Sequence, residues 1–268
     1  MKKINVALVS ATARLKAAEL AKVSMALNIQ LQEHFAPLWH IDAKVRTFSS
    51  LAKVPEEYWP ITVRDNIGEP NIMSYHSFSD KRPFVEVNYG KQWTLGASHD
   101  LLEMLVDPKV TRTVVAPSIV PGRHENVKYP VQVCDPCASP DNAYKINGVL
   151  VSDFSTPAYW DSASPKKGKY SYAGSLTRPF QIVRGGYLSW WDLKTNKWVQ
   201  ATLWGKTVQF TGLEAAKESR EENASPIREK VAGTVRFRMV VLQEVYDAQE
   251  AYRLKIQTDI EKLIQKFG

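Results

Sequence analysis

Residues 98–108 read SHDLLEMLVDP, and four of them are of types that bind cations or move protons: His99, Asp100, Glu103 and Asp107. His99 and Glu103 are four apart, so on a helix both project from one face with their Cβ atoms about 5–6 Å apart. Two donors held in that way can share one metal ion. Asp100 sits beside His99, and Asp107 lies one turn further on, at a helix end that Pro108 would enforce. Leu101, Leu102, Met104, Leu105 and Val106 cover the other faces, so the predicted helix is buried on most sides. A buried carboxylate without a partner is costly and normally neutralises or pairs, and a cation would satisfy this group. The same spacing also suits an ordinary helix with an acidic face, ended by Asp-Pro. Spacing alone leaves both readings open.

The elements that must hold this helix can be read from periodicity. INVALVS near the N-terminus alternates and is β-branched, which predicts a strand. Residues 12–35 carry apolar side chains at spacings of three and four without Pro or Gly, a long helix that Pro37 is expected to close. HIDAKVRTF and YWPITVRDN predict two further strands. KRPFVEVNYG predicts a short one at a sheet edge, because Pro83 cannot donate to a ladder. GASHDLLEMLVDP then supplies the acidic helix, with Ser98 as the expected N-cap.

After residue 110 strands shorten and loops lengthen, rich in Pro, Gly, Ser and aromatics. RGGYLSWWDLKTNKWVQATLW predicts a hairpin turning at LKTNKW, its tryptophans filling core rather than binding a ligand. Residues 214–231 are charged and poor in apolar side chains, which predicts a linker or exposed loop. Residues 232–268 predict a strand followed by an amphipathic helix over 243–267. The organisation expected is a domain over 1–213, divided into an N-terminal α/β lobe (1–110) and a loop-rich lobe (111–213), then the linker and the terminal strand and helix. The fold class expected is α+β.

Composition narrows the partners. The net charge of +7 is spread along the chain, with SPKKGKY as its only local cluster, so specific reading of nucleic acid is not expected. No run approaches the roughly 18 apolar residues of a membrane span. The first apolar run is broken by Asn5, Ser10 and Arg14, which predicts a strand rather than a signal peptide and a cytoplasmic protein. Cys134 and Cys137 are the only cysteines and are read as two structural thiols in a turn. His34 and His40 are expected at the surface or capping a helix end, His76 in a loop as a packed core histidine, and His124 in a loop. Gly185 and Gly186 lack the spacing of a nucleotide-binding loop.

SHDLLEMLVDP, preceded by PFVEVNYGKQWTLGA and followed by VCDP and NGVLVSDFSTPAYW, resembles a zincin-type family of uncharacterised bacterial and phage proteins. Their usual form is close to S-H-E-x-x-E-x-x-x-D-P, with a later E-x-x-D-P and an SNF-x-x-P block, and the resemblance covers roughly residues 58–190. It implies a zincin-like mixed sheet with a long helix and an active-site helix, and an edge strand that binds extended substrate. It makes His99 the first metal ligand and Glu103 the counterpart of the second histidine, with Asp107 and Asp135 of VCDP as candidates for the third ligand. One divalent metal is implied, zinc first, although such an oxygen-rich set also suits Mn, Mg or Ca. Asp100 stands where the general-base glutamate would be and is one methylene shorter, while a base must reach its water at hydrogen-bond distance.

Two functions are therefore expected from different classes. The first is a metal-dependent hydrolase of peptide bonds working through a metal-activated water, with Asp100 taking the proton and His124, Tyr159 or Tyr187 as candidates to stabilise the oxyanion. The second is a catalytically silent structural or binding protein of the same fold. Its partners would be subunits of a large assembly such as a phage particle, in which case it would reside in the virion.

Overall fold

The computed structural model describes residues 3–213, apart from 69–72, 80–81, 165–167 and 205–206. The expected linker at 214–231 and the terminal strand and helix at 232–268 lie outside the described residues. The described chain is mixed α+β, as expected.

The first half runs β1 (Ile4–Ser10), α1 (Ala17–Ile29), a π-helical turn (Gln30–Phe35), α2 (Ala36–Trp39), β2 (Ala43–Phe48), β3 (Tyr58–Arg64), β4 (Ser74–Ser79), β5 (Arg82–Asn88) and α3 (Trp93–Val106). Its five strands form one sheet in the order β2-β1-β3-β5-β4, with β4 alone antiparallel to its neighbour. β1 is an inner strand, and Val6, Ala7, Leu8 and Val9 are all buried because both faces of the sheet are covered there. One face carries α1 and α3, whose Leu20, Val23, Leu27, Ala97, Leu101 and Leu105 share a core with Val6 and Leu8.

Three local expectations are corrected. The segment KRPFVEVNYG gives an inner strand, β5, and the edge is β4, in a stretch read from sequence as a loop. Pro83 is tolerated because the parallel ladder to β3 begins only at Val85, so its missing N–H falls before that pairing. Pro37 does not close the long helix. The preceding π turn resets the hydrogen-bond pattern, and Pro37 then lies in the first turn of α2, where an N–H is not required. The helix ends instead at His40, in left-handed conformation with φ 55°. Thr12 precedes the helix rather than opening it, donating from Oγ1 to Asp65 Oδ1 at 2.8 Å.

The second half contains β6 (Thr113–Pro117), β7 (Asn126–Pro130), β8 (Tyr144–Ile146), β9 (Val149–Val151), β10 (Tyr187–Asp192), β11 (Lys197–Trp204) and β12 (Thr207–Leu213). It is more regular than a loop-rich lobe. β12-β11-β10-β7-β6 make a second, antiparallel sheet, and β8 and β9 make a small hairpin. The predicted hairpin is β10–β11, turned by Asp192, whose Oδ1 accepts from the N–H groups of Lys194 and Thr195. Among the described residues no helix is long and apolar enough to cross a membrane.

Candidate metal centre

α3 begins at Trp93, so Ser98 is an interior residue rather than an N-cap. Every residue of α3 except Thr94 is buried. The helix is clamped from three sides. Ser98 Oγ donates to Gln30 Oε1 (2.8 Å) in the π turn and accepts from Ser152 N (3.0 Å), while Thr94 Oγ1 donates to Leu150 O (2.8 Å) in β9. Gly96 admits β4: a Cβ there would stand 2.6 Å from Ser74 Oγ and 3.1 Å from Met73 Cγ.

That close approach lets β4 present His76 to the helix. His76 Nδ1 lies 3.0 Å from Asp100 Oδ1 and 3.7 Å from Glu103 Oε2. On the other side, His99 Nε2 lies 3.4 Å from Glu103 Oε1 and 3.2 Å from Asp135 Oδ1. Two groups, His76/Asp100/Glu103 and His99/Glu103/Asp135, each bring one donor atom per residue to within 4.8 Å of the others and could hold a metal ion. All five residues are buried.

Asp135 comes from a short 3₁₀ turn, Asp135–Cys137, in the segment that follows β7. That turn is held against α3 by Cys134, whose N–H donates to Glu103 Oε1 (3.2 Å) and whose thiol donates to His99 O (3.6 Å). From behind it meets Gly186, where a Cβ would stand 2.1 Å from Pro136 O and 3.1 Å from Asp135 O. Only a glycine leaves room there.

The electrostatics of the cluster follow from this crowding. Burial by itself pushes the His99 imidazole down, but the charge of Glu103, with hydrogen bonds to Asp135 and Glu103, outweighs it and holds the pKa well above the usual histidine range. Burial raises the Glu103 carboxyl, and the charge of Asp135 adds to the rise against the opposing pull of His99. A cation would take over the work of these retained protons. The thiols of Cys134 and Cys137 are free and buried, and burial pushes both well up, so neither is a reactive thiolate.

Of the residues singled out from sequence, His99, Asp100, Glu103 and Asp135 are brought together. Asp107 has other work, since its two carboxylate oxygens accept from Thr111 N (2.8 Å) and Arg112 N (2.9 Å) and fix the turn after α3. Tyr159 donates its hydroxyl to Gln181 O, Tyr187 is buried beside Met73, Leu95 and Ala138, and His124 is exposed. His76, read from sequence as a loop core histidine, is a member of the cluster on a strand. The alternation of buried Ser74 and His76 in SYHSFS was the available signal.

No protein-family model, curated protein or solved structure matches this chain.

Proposed function

We propose that this protein is a zincin-like, metal-dependent hydrolase acting on peptide bonds. The observation that carries the reading is the convergence of His99 and Glu103 from α3 with Asp135 from a separate segment, one donor atom each within 4.8 Å. Catalytic zinc centres use three protein ligands and keep a fourth position open, whereas structural centres fill all four, and this set of one nitrogen and two oxygens is of the former kind. A divalent ion held there supplies Lewis acidity, lowering the pKa of water towards about 7 and polarising a carbonyl. The chain's own residues orient and tune the donors: the Cys134 N–H fixes Glu103 Oε1, and the Gly186 contact fixes the backbone of Asp135. β4, the antiparallel edge strand of the first sheet among the described residues, packs beside α3, a placement at which an extended peptide could add as a further strand.

A second reading is favoured by one specific observation. His99, Glu103 and Asp135 are only 6%, 2% and 2% exposed, which suits an ion that staples α3 to the 3₁₀ turn in a catalytically silent structural or binding protein, for instance a component of a phage particle or another large assembly. The deciding experiment is metal analysis of the purified protein followed by incubation of the zinc-loaded protein with a labelled unstructured protein. The hydrolase reading expects stoichiometric metal that His99→Ala removes, together with cleavage that His99→Ala abolishes. Metal without cleavage selects the silent protein, and absence of metal sinks both metal-based readings.

A further inference from the structure

We infer that the centre is dinuclear: a second divalent cation binds between His76, Asp100 and Glu103, and Glu103 bridges the two ions through its two carboxylate oxygens. The inference rests on the proposed metal-dependent reading and extends it.

The geometry of Glu103 is the first ground. Its oxygens are not equivalent, for Oε1 faces His99 Nε2 at 3.4 Å while Oε2 faces His76 Nδ1 at 3.7 Å. Each side repeats the same donor set. On one side stand His99, Asp135 and Oε1; on the other stand His76, Asp100 and Oε2. A carboxylate whose two oxygens are aimed at two separate His–Asp pairs has the disposition of a bridging ligand.

The second ground is independent of that symmetry. Asp100 is 3% exposed, and its Oδ2 is buried without any hydrogen-bond partner. A buried carboxylate oxygen normally accepts a hydrogen bond, because losing water without replacement is costly. Here the residue lies one position from His99 with its Oδ1 already against His76, so a cation on the His76 side answers the remaining oxygen.

The assignment also gives Asp100 a role that its length permits. As a ligand on the His76 side it has no need to reach across to a water on the His99 side, so the missing methylene is no handicap. Hydrolases with paired ions distribute between two Lewis acids the activation that a single-ion enzyme shares with a base.

The test counts ions and reads their coupling, without relying on activity. The purified full chain is stripped with chelator, reloaded with Mn²⁺, and measured by metal analysis and electron paramagnetic resonance. The expected result is two ions per chain with an exchange-coupled spectrum, its hyperfine spacing half that of an isolated ion. His76→Ala and the milder Asp100→Asn should each leave one ion with an isolated-ion spectrum, and circular dichroism verifies that each variant is folded. One ion per wild-type chain with an isolated-ion spectrum, lost in His99→Ala, overturns the dinuclear centre and leaves the proposed function standing. Two ions retained in both His76→Ala and Asp100→Asn also overturn it. No bound ion in the wild type overturns both proposals. Because the wild-type spectrum is itself decisive, a variant that fails to fold does not remove the test.

Discussion

Two groups of buried acids in this molecule are handled in opposite ways. Asp153, fully buried in the segment after β9, is supplied with hydrogens by its own chain: Oδ1 accepts from Phe154 N and Ala173 N at 2.8 Å each, and Oδ2 accepts from Ser175 Oγ at 2.6 Å. Asp107 is treated likewise by Thr111 N and Arg112 N. Around α3, by contrast, Asp100, Glu103 and Asp135 face two imidazoles and one another, and Asp100 Oδ2 has no donor. A carboxylate that fixes a loop is given protein N–H and O–H groups, because these satisfy it without any ligand. In the cluster around α3 such donors are fewer: Glu103 Oε1 accepts one backbone N–H, from Cys134, and Asp100 Oδ2 accepts none. Burial alone does not distinguish the two, since all these residues are buried.

That contrast breaks at once if the residues respond alike to substitution. The largest effect is expected for Glu103→Gln, which removes the charge shared by both halves of the cluster. Metal affinity should fall by more than about a hundredfold, beyond the range seen for residues that merely support a ligand, as read by competition with a chromogenic chelator. Asp153→Ala should do the reverse. It strands the buried N–H of Phe154 and two part-buried donors, Ala173 N and Ser175 Oγ, and should cost about 2 kcal/mol or more in chemical denaturation, while metal bound per folded chain stays unchanged.

Gly186→Ala sharpens the comparison, because it touches no ligand side chain yet pushes on the backbone that carries Asp135. A 2.1 Å approach to Pro136 O cannot be accommodated without movement, so metal affinity should drop about 10- to 100-fold with some loss of stability. Asp107→Asn should cost about 1 kcal/mol, since one oxygen still accepts, and should leave metal content untouched; a fall in metal would move Asp107 into the cluster's class. The smallest effect concerns Cys134 and Cys137. With both thiols pushed well up by burial, alkylation of the folded protein should remain negligible at pH values where a free thiol, of pKa about 8.5, reacts, and should appear only after unfolding.

The helix that carries most of the His/Asp/Glu cluster was legible because its signal is local. A buried apolar run interrupted by His and Glu at a spacing of four says both that the helix lies in a core and that two polar donors share a face, and α3 has that burial. Asp135 drew attention only through the resemblance of VCDP, since nothing local ties a turn at 135 to a helix at 99. His76 was visible as a histidine but not as a partner. Reading SYHSFS as a loop hid the two-residue period that turns Ser74 and His76 towards α3. The edge of the sheet was misplaced for a related reason. Pro83 does signal a missing ladder bond, but whether that bond is missing at an edge or at the start of an inner strand depends on where the neighbouring strand begins.

By itself, then, the sequence determined the long helix, most strands of the first sheet, the β10–β11 hairpin and the His99–Glu103 pair, all of which follow from periods of two and 3.6 along a short stretch of chain. Tertiary structure alone decided which acids share a site. Asp107 was drawn into a turn by two backbone N–H groups, while His76 and Asp135 arrived from segments 24 residues before Asp100 and 32 residues after Glu103. Their meeting depends on contacts at Gly96 and Gly186 that leave no space for a Cβ. Such contacts are set by the packing of whole elements, and no spacing within a single element encodes them.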